Sequence, residues 1–278
     1  MTGGPRPRRE RLDHILVERG LIESRTRAQA LILAGRVRTG DTPLMKPGIR
    51  YPFDIELTVT EGRRFVSRGG YKLQAALQQF ELDPTGRDCI DVGASTGGFT
   101  QVLLEAGADR VIALDVGRGQ LDWSLRNDDR VTPLEGINAR HLERADLPCL
   151  PSLAVIDVAF ISLVLILPPV VEALAAADPV DVVALIKPQF EVGRERVGRG
   201  GIVRDPRDHR TVVCRIIAFC RERGWGVAGL IPSPITGADG NREFLIHLVP
   251  RSEGLSMENL DRVTEAALTS PIEPEVTR

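Results

Sequence analysis

The sequence predicts an α/β protein: a Rossmann-like, mostly parallel sheet preceded by a small α+β module. Three observations carry this reading. Short apolar runs at Cys89–Val92, Val111–Leu114, Val131–Leu134, Leu153–Ile156 and Val182–Ile186 alternate with helical patterns, as βαβ units require. The stretch Arg87–Thr100, RDCIDVGASTGGFT, runs from strand through a glycine turn into a helix start. Glycines there let the backbone approach a ligand closely. The third observation is a split in charge. Residues 1–72 carry 15 Lys+Arg against 8 Asp+Glu, and the remainder carries 21 against 30. A basic front on an acidic body suggests a polyanion held mainly by the front, with an ordinary solvated basic surface as the alternative.

Composition places the chain among soluble globular proteins, with 278 residues, 42% apolar and 27% charged. Cys89, Cys149, Cys214 and Cys220 form no C-x-x-C pair. They read as reduced residues of a cytoplasmic protein, and no metal site is expected. The first residues, MTGGPRPRRE, lack the apolar core of a signal peptide. The longest apolar stretch, residues 158–177, is interrupted by Ser162, Pro168, Pro169 and Glu172. A buried strand followed by a Pro-started helix explains it better than a membrane span.

In chain order, residues 1–9 read as a flexible basic arm. Leu12, Ile15 and Leu16 recur at helical spacing up to Gly20. Ser24 is placed as the N-cap of a second helix carrying Ala28, Leu31 and Ile32, stopped by Gly35. Val37 begins a short strand, and Ile55, Leu57 and Val59 alternate as another. Arg11, Arg25, Arg27, Arg36 and Arg38 cluster in this module, and Arg63 and Arg64 lie in the connector behind it. Clustered guanidiniums suit bidentate phosphate contacts, which marks them as RNA-binding candidates. A basic helix hairpin that binds protein is the bland alternative. The boundaries read as 1–60 for the module, 61–67 for a linker, 68–250 for the α/β domain and 251–278 for a tail.

RLDHILVERGLIESRTRAQALILAGRVRTG, followed by KPG, resembles the small RNA-binding domain of ribosomal protein S-four. Arg11, Leu12, Asp13, Gly20, Ser24, Arg25, Ala28, Ile32, Gly35 and Val37 carry the resemblance. The usual Val-Asn-Gly turn is replaced by Arg38-Thr39-Gly40.

The glycine loop is not the G-x-G-x-x-G of dinucleotide binders, because Ser95 takes the middle glycine's place. Asp91, two residues before Gly93, suits a ligand that carries a cation, and S-adenosylmethionine is such a ligand. A plain tight turn packing a helix on a sheet is the other reading of this loop. Asp91, Gly93, Ala94, Ser95, Thr96, Gly97 and Gly98 are the first cofactor-binding candidates. Asp115, 24 residues after Asp91 at the tip of the second strand, lies where an adenosine ribose offers its hydroxyls. Asn138, after the third strand, is a candidate for the adenine edge. The fourth strand ends in Asp157 and the fifth in Lys187. Charges at the carboxyl ends of buried parallel strands are costly unless used or paired, and ligands of open α/β sheets bind there. Residues 191–204, rich in glycine and arginine, read as a mobile basic loop. Strands follow over residues 225–231 and at Phe244, Ile246 and Leu248, with Glu243 at the start of the last. A short helix and a frayed tail complete the chain.

The order Lys72, Asp157, Lys187, Glu243 resembles the catalytic tetrad of FtsJ-type ribose 2′-O-methyltransferases. Together with the front module, SRGGYKL, DVGASTGGFT, IDVAFISL and LIKPQFEVG resemble the TlyA family of rRNA methyltransferases. That resemblance implies S-adenosylmethionine as cofactor, cytidine in 16S and/or 23S rRNA as substrate, and rRNA within ribosomal subunits as partner. The chemistry stands without the family. A ribose hydroxyl must lose its proton as it attacks a methyl carbon in line with the departing sulfur. A lysine takes that proton only if its pKa falls well below the reference of about 10.4. Lys72 as a nearby cation would lower that of Lys187, while Asp157 and Glu243 would oppose the shift. Lys187 is the expected base, and a four-residue ion-pair network without chemistry is the alternative. Rival functions are an RNA-binding protein with an inactive methyltransferase domain, a membrane-lytic protein of the haemolysin kind, and a small-molecule methyltransferase. The basic front disfavours the last.

Overall fold

A computed structural model of the chain describes residues 8–60, 64–237 and 239–271. The chain divides between Arg64 and Phe65 into two compact units.

The first unit is built from β1 (Arg9–Arg11), α1 (Leu12–Glu18), α2 (Arg25–Leu33), β2 (Val37–Thr39), β3 (Thr42–Pro43), β4 (Arg50–Pro52) and β5 (Thr58–Val59). Leu12 and Leu16 of α1 meet Ala28 and Ile32 of α2 over Val37 and Leu44. Each is fully or almost fully buried, as the helical spacing required. Ser24 caps α2 by accepting the Arg27 N–H at 3.3 Å. Arg9 is no part of a free arm. It lies in β1, antiparallel to β4, and its guanidinium donates to the Arg50 carbonyl at 2.7 Å. An Arg-Glu-Arg strand has no apolar signature, because backbone bonds to residues some forty positions away create it. Conversely, the apolar alternation at 55–59 yields ladder pairing only at Thr58–Val59, against β2. Ile55 and Leu57 pack on the core from irregular backbone.

The second unit comprises α3 (Gly69–Gln79), β6 (Asp88–Val92), α4 (Gly98–Glu105), β7 (Arg110–Asp115), α5 (Trp123–Arg126), β8 (Val131–Glu135), β9 (Leu153–Ile156), α6 (Leu163–Ala173), β10 (Asp181–Ile186), α7 (Pro188–Glu191), α8 (Pro206–Glu222), β11 (Gly226–Pro232), β12 (Phe244–Val249) and α9 (Met257–Thr269). Seven strands form one sheet in the order β11-β12-β10-β9-β6-β7-β8. Strands β10, β9, β6, β7 and β8 are parallel, and β12 runs antiparallel to both of its neighbours. The order of crossovers reverses between β6 and β9, which opens a crevice at their carboxyl ends.

The strands are apolar on both sides because both faces are covered. Ile90, Val92, Ala154, Ile156, Ala184 and Ile186 face the core under α6 and α8. Cys89, Leu153, Val155, Val183 and Leu185 face the opposite core, under α3 and α4. Phe65, within the segment read as linker, is a core residue here, 1% exposed and pressed against Gly70. The tail segment supplies α9, which buries Leu260 and Ala267. Helix α6 does not start at a proline. It starts behind Ser162, with Pro168 and Pro169 inside it, because the side chains of Ser162 and Glu191 satisfy its first N–H groups. Among the described residues, no helix is long and apolar enough to cross a membrane. Cys89 and Cys220 are buried, and burial pushes both thiols up to about 12.

One buried charge organises the first unit. Asp13 is wholly buried and accepts from Arg11 through Nε and Nη2 (3.0 and 2.9 Å), from Arg25 Nε (3.0 Å) and from Gln29 (2.7 Å). Burial pushes its carboxyl up, but the bonds from Arg11, Gln29 and Arg25 outweigh that and hold it well below the usual carboxylate range. A depressed carboxyl lends stability above its unfolded pKa and loses it as pH falls. Protection factors of the amides of α1 and α2, taken against the intrinsic exchange rate at each pH, should therefore fall as the pH drops below about 4. Asp13→Asn should weaken this unit by about 1–3 kcal/mol at neutral pH. Unaltered exchange of α1 and α2 in that variant would show that the carboxylate does not tie the helices together.

Candidate active site

The loop after β6 is shaped by what it must avoid. Gly93 has φ +88, and a Cβ there would lie 2.5 Å from the Asp157 carbonyl oxygen. The end of β6 and the end of β9 therefore touch through backbone, and Asp157 N–H donates to the Val92 carbonyl at 2.9 Å. Gly97, at φ +97, caps α4, and a side chain there would strike Leu121 and Leu125. Gly98 lies against the Ser67 hydroxyl and the Gly70 N–H, so α3 and α4 begin side by side.

A cavity of about 240 Å³ opens at this point, lined by Ser67, Lys72, Asp91, the loop Gly93–Thr96, Gly98, Phe99, Asp157 and Lys187. Asp91 is fully buried. Its Oδ2 accepts the N–H and the hydroxyl of Thr100 at 2.8 and 2.7 Å, while Oδ1 is buried with no hydrogen-bond partner. Burial raises its carboxyl and Asp157 adds to the rise, against the pull of Thr100, so that it titrates at about 7. An orphaned carboxylate oxygen in the cavity wall fits a cationic group, and the ammonium of S-adenosylmethionine meets that requirement.

The other cofactor candidates lie around rather than in this cavity. Asp115 stands at the tip of β7, where it accepts Ser95 N–H (2.8 Å) through Oδ2 and Gly117 N–H (2.7 Å) through Oδ1. It thus fixes the glycine loop to the neighbouring strand end. Asn138 is exposed and uses its carbonyl oxygen to cap the short turn Ala139–His141, accepting Arg140 N–H at 3.0 Å. Gly97 faces the core beneath. Ser67, Phe99 and Thr100 escape sequence reasoning as site residues, since nothing in their type marks them. Only the glycines at 69–70 and 97–98 hint that two helix starts must meet.

The four tetrad residues come together as two pairs. Lys72, in the first turn of α3 and 7% exposed, donates to Glu243 Oε2 at 2.6 Å. Lys187 Nζ lies 2.5 Å from Asp157 Oδ1, an ion-pair distance although the angle is not that of a hydrogen bond. Each lysine has its own carboxylate, so the expected action of Lys72 on Lys187 has no direct contact behind it. Gly237 leaves room for the Glu243 carboxylate, which a Cβ at that position would strike.

The loop that follows Asp157 is unusual. Phe160 is 90% exposed, takes φ +64, and its ring lies 5.1 Å from that of Phe190. A bulky residue in the left-handed region is strained and persists only where its surroundings hold it. Residues 191–204, read as a mobile loop, are tethered instead. Arg196 pairs with Asp208 at 2.6 Å, and Asn241 accepts from Val203 N–H (2.9 Å) and donates to the Gly201 carbonyl (2.8 Å).

Within the first unit, the arginine candidates divide. Arg11 and Arg25 are bound to Asp13, though Arg25 uses only Nε and keeps its terminal nitrogens for another acceptor. Arg27 lies 3.5 Å from Glu23. Arg36 and Arg38 are exposed, with no ion pair among the described residues. Arg64 is the last residue of this unit, and Arg63 lies outside the described residues.

Comparison with known proteins accords with this geometry. The second unit matches the FtsJ-like methyltransferase family over residues 65–249, and residues 10–50 match the S4 domain. The chain is 48% identical to the Bacillus subtilis protein YqxC over 267 residues, 94% of each chain. It is 44% identical to the 16S/23S rRNA (cytidine-2′-O)-methyltransferase TlyA of Mycobacterium tuberculosis over 265 residues, 94% of this chain and 98% of that one. A solved Streptococcus thermophilus protein that carries the hemolysin name is 45% identical with a TM-score of 0.68, over 94% of this chain and 96% of that one. With the glycine loop and both lysine–carboxylate pairs gathered at one strand switch point, the chain belongs to the FtsJ-like methyltransferases and carries an S4 domain ahead of the catalytic fold.

Proposed function

We propose that this protein methylates the 2′-hydroxyl of a ribose in rRNA, a cytidine of the 16S and/or 23S molecule within a ribosomal subunit, using S-adenosylmethionine. The observation that carries this reading is the Lys187–Asp157 pair in the wall of the cavity that the glycine loop encloses. S-adenosylmethionine supplies an electrophilic methyl group on a sulfonium. Asp91 would hold its ammonium, the backbone of Gly93–Thr96 would pass along it, and Asp115 with Asn138 would serve the adenosine end.

Lys187 takes the proton from the ribose oxygen. Only the neutral amine accepts a proton, so turnover follows the fraction of Lys187 in that form. Asp157 holds the nitrogen in place and stabilises the ammonium as it forms. Lys72 is a fixed cation beside the reacting oxygen, and Glu243 keeps it extended toward the cavity rather than free to rotate away. The first unit grips RNA through phosphate contacts from Arg25, Arg27, Arg36 and Arg38, with Arg11 and Arg25 pre-set by Asp13. Arg63 and Arg64 extend the same basic run in sequence. Mapping 2′-O-methyl groups in rRNA from cells with and without the gene tests the reading, and identical maps would refute it.

Three outcomes follow from the roles assigned. Lys187→Ala should lower the methyl-transfer rate by about 10²–10⁴-fold and leave cofactor binding within a few-fold of wild type, read by calorimetry. Near-normal turnover would exclude Lys187 as the base. Cofactor binding should also depend on pH. A bound cation favours the Asp91 carboxylate, whose proton leaves only near pH 7 in the free protein. Affinity should then rise by up to about tenfold per pH unit below 7 and flatten above it, with proton release at pH 6. A flat profile from pH 5.5 to 8 would mean that Asp91 does not face the cation. Finally, RNA affinity should fall steeply with salt, and Arg36→Ala with Arg38→Ala should shrink the log–log slope by about 0.7–0.9 per residue. An unchanged slope would remove these two arginines from the phosphate contacts.

A further inference from the structure

Glu191 is a buried carboxylate that the chemistry above does not use. It ends α7, the single turn that Lys187 caps, and it is 5% exposed. Its Oε1 accepts the Leu163 N–H at 2.7 Å, and its Oε2 accepts the Ser162 hydroxyl at 2.7 Å. Arg215 of α8 adds an ion pair to Oε2 at 2.5 Å. Ser162 and Leu163 open α6, so this side chain completes a helix N-terminus from another element, where the helix dipole also favours a negative charge.

The two segments that Glu191 joins are the ones that carry the Lys187–Asp157 pair. Residues 157–162 leave β9, and residues 187–191 leave β10. They meet at three points in sequence order: Asp157 with Lys187, Phe160 with Phe190, and Ser162–Leu163 with Glu191. The first contact faces the cavity, and the second is between an exposed ring and its neighbour. Only the third is buried and hydrogen-bonded to both partners. Between the first and third contacts Phe160 holds its strained φ of +64.

We propose that Glu191 is a positioning residue for methyl transfer: it clamps the Asp157 loop to the Lys187 turn, so that the amine stays beside Asp157 while RNA occupies the cavity. This rests on the reading of Lys187 as the base. Releasing the clamp misplaces the base relative to the ribose oxygen without touching the cofactor loop or the arginines of the first unit.

Steady-state methyl transfer onto ribosomal subunits tests it, with S-adenosylmethionine affinity measured separately by calorimetry. Glu191→Gln keeps the size but loses the charge facing Arg215 and offers one acceptor oxygen to two donors. Its kcat should fall by about 10- to 100-fold, with KM for the subunit and cofactor affinity within about twofold of wild type. Glu191→Asp, which keeps the charge, should fall between the two. Asp181→Asn breaks a different half-buried ion pair, with Arg87 (2.8 Å), at the opposite end of β10, and its folded fraction should keep the wild-type kcat. If Glu191→Gln does not fold, Ser162→Ala removes one donor and should show a smaller loss with the same split. An unchanged kcat, an equal fall in Asp181→Asn, or a loss confined to KM or to cofactor affinity would overturn the proposal. A wild type that forms no 2′-O-methyl product would instead overturn the reading of the reaction, and this role with it.

Discussion

The site depends on one backbone constraint, the contact between the carboxyl ends of β6 and β9. There the Asp157 N–H meets the Val92 carbonyl, and Gly93 passes so close to the Asp157 carbonyl that no side chain fits between them. The two strands are neighbours in the sheet, yet their following helices leave toward opposite faces, α4 to one core and α6 to the other. A crevice must open where the paths diverge, and it is lined by whatever residues terminate those strands. In this chain they are an aspartate, a glycine loop, a second aspartate and, one strand on, a lysine. The positions come from topology, and the chemistry comes from the residue types placed there.

Charges in such a place are expensive, and the structure shows how each is kept. Asp157 and Lys187 hold one another, as do Lys72 and Glu243. Asp91 has two bonds from Thr100 on one oxygen and nothing on the other. An ion pair offsets part of the cost of burying its charges, whereas burial pushes the Asp91 carboxyl up to about 7, and its bare oxygen has most to gain from a cation. The site thus gathers two lysines that each lie against a carboxylate and, in Asp91, a fully buried carboxylate with one bare oxygen. In the first unit, Asp13 is the counterpart. It accepts from Arg11, Arg25 and Gln29 at once, while both guanidiniums stay partly exposed.

Much of this was legible in order along the chain. The five parallel strands appear in the sequence as apolar runs because both faces of the sheet are buried, so no alternation was needed to see them. Ser24 and Gly35 bound the second helix because capping is local chemistry. Where sequence reading departed from the structure, the deciding contact was distant. The strand Arg9–Arg11 exists only against Arg50–Pro52. Phe65 is core because Gly70 makes room for it, not because its neighbours are apolar. Helix α6 starts at Ser162 rather than at a proline because Glu191, 28 residues on, accepts its first N–H.

Sequence by itself determined the inventory: a glycine loop behind an acidic strand, charges at the ends of the fourth and fifth strands, a lysine before the first and a glutamate on the last, and a basic module in front. These follow from residue type and spacing, which short-range sterics and periodic burial translate directly into elements. Tertiary structure alone decided the pairing. Lys72 belongs to Glu243 across 171 positions and Lys187 to Asp157, not lysine to lysine. Which oxygen of Asp91 is left bare, and which arginines Asp13 holds, were decided in the same way. Hydrogen bonds and ion pairs are set by distances of a few ångströms between elements remote in the chain, and no local pattern encodes those distances.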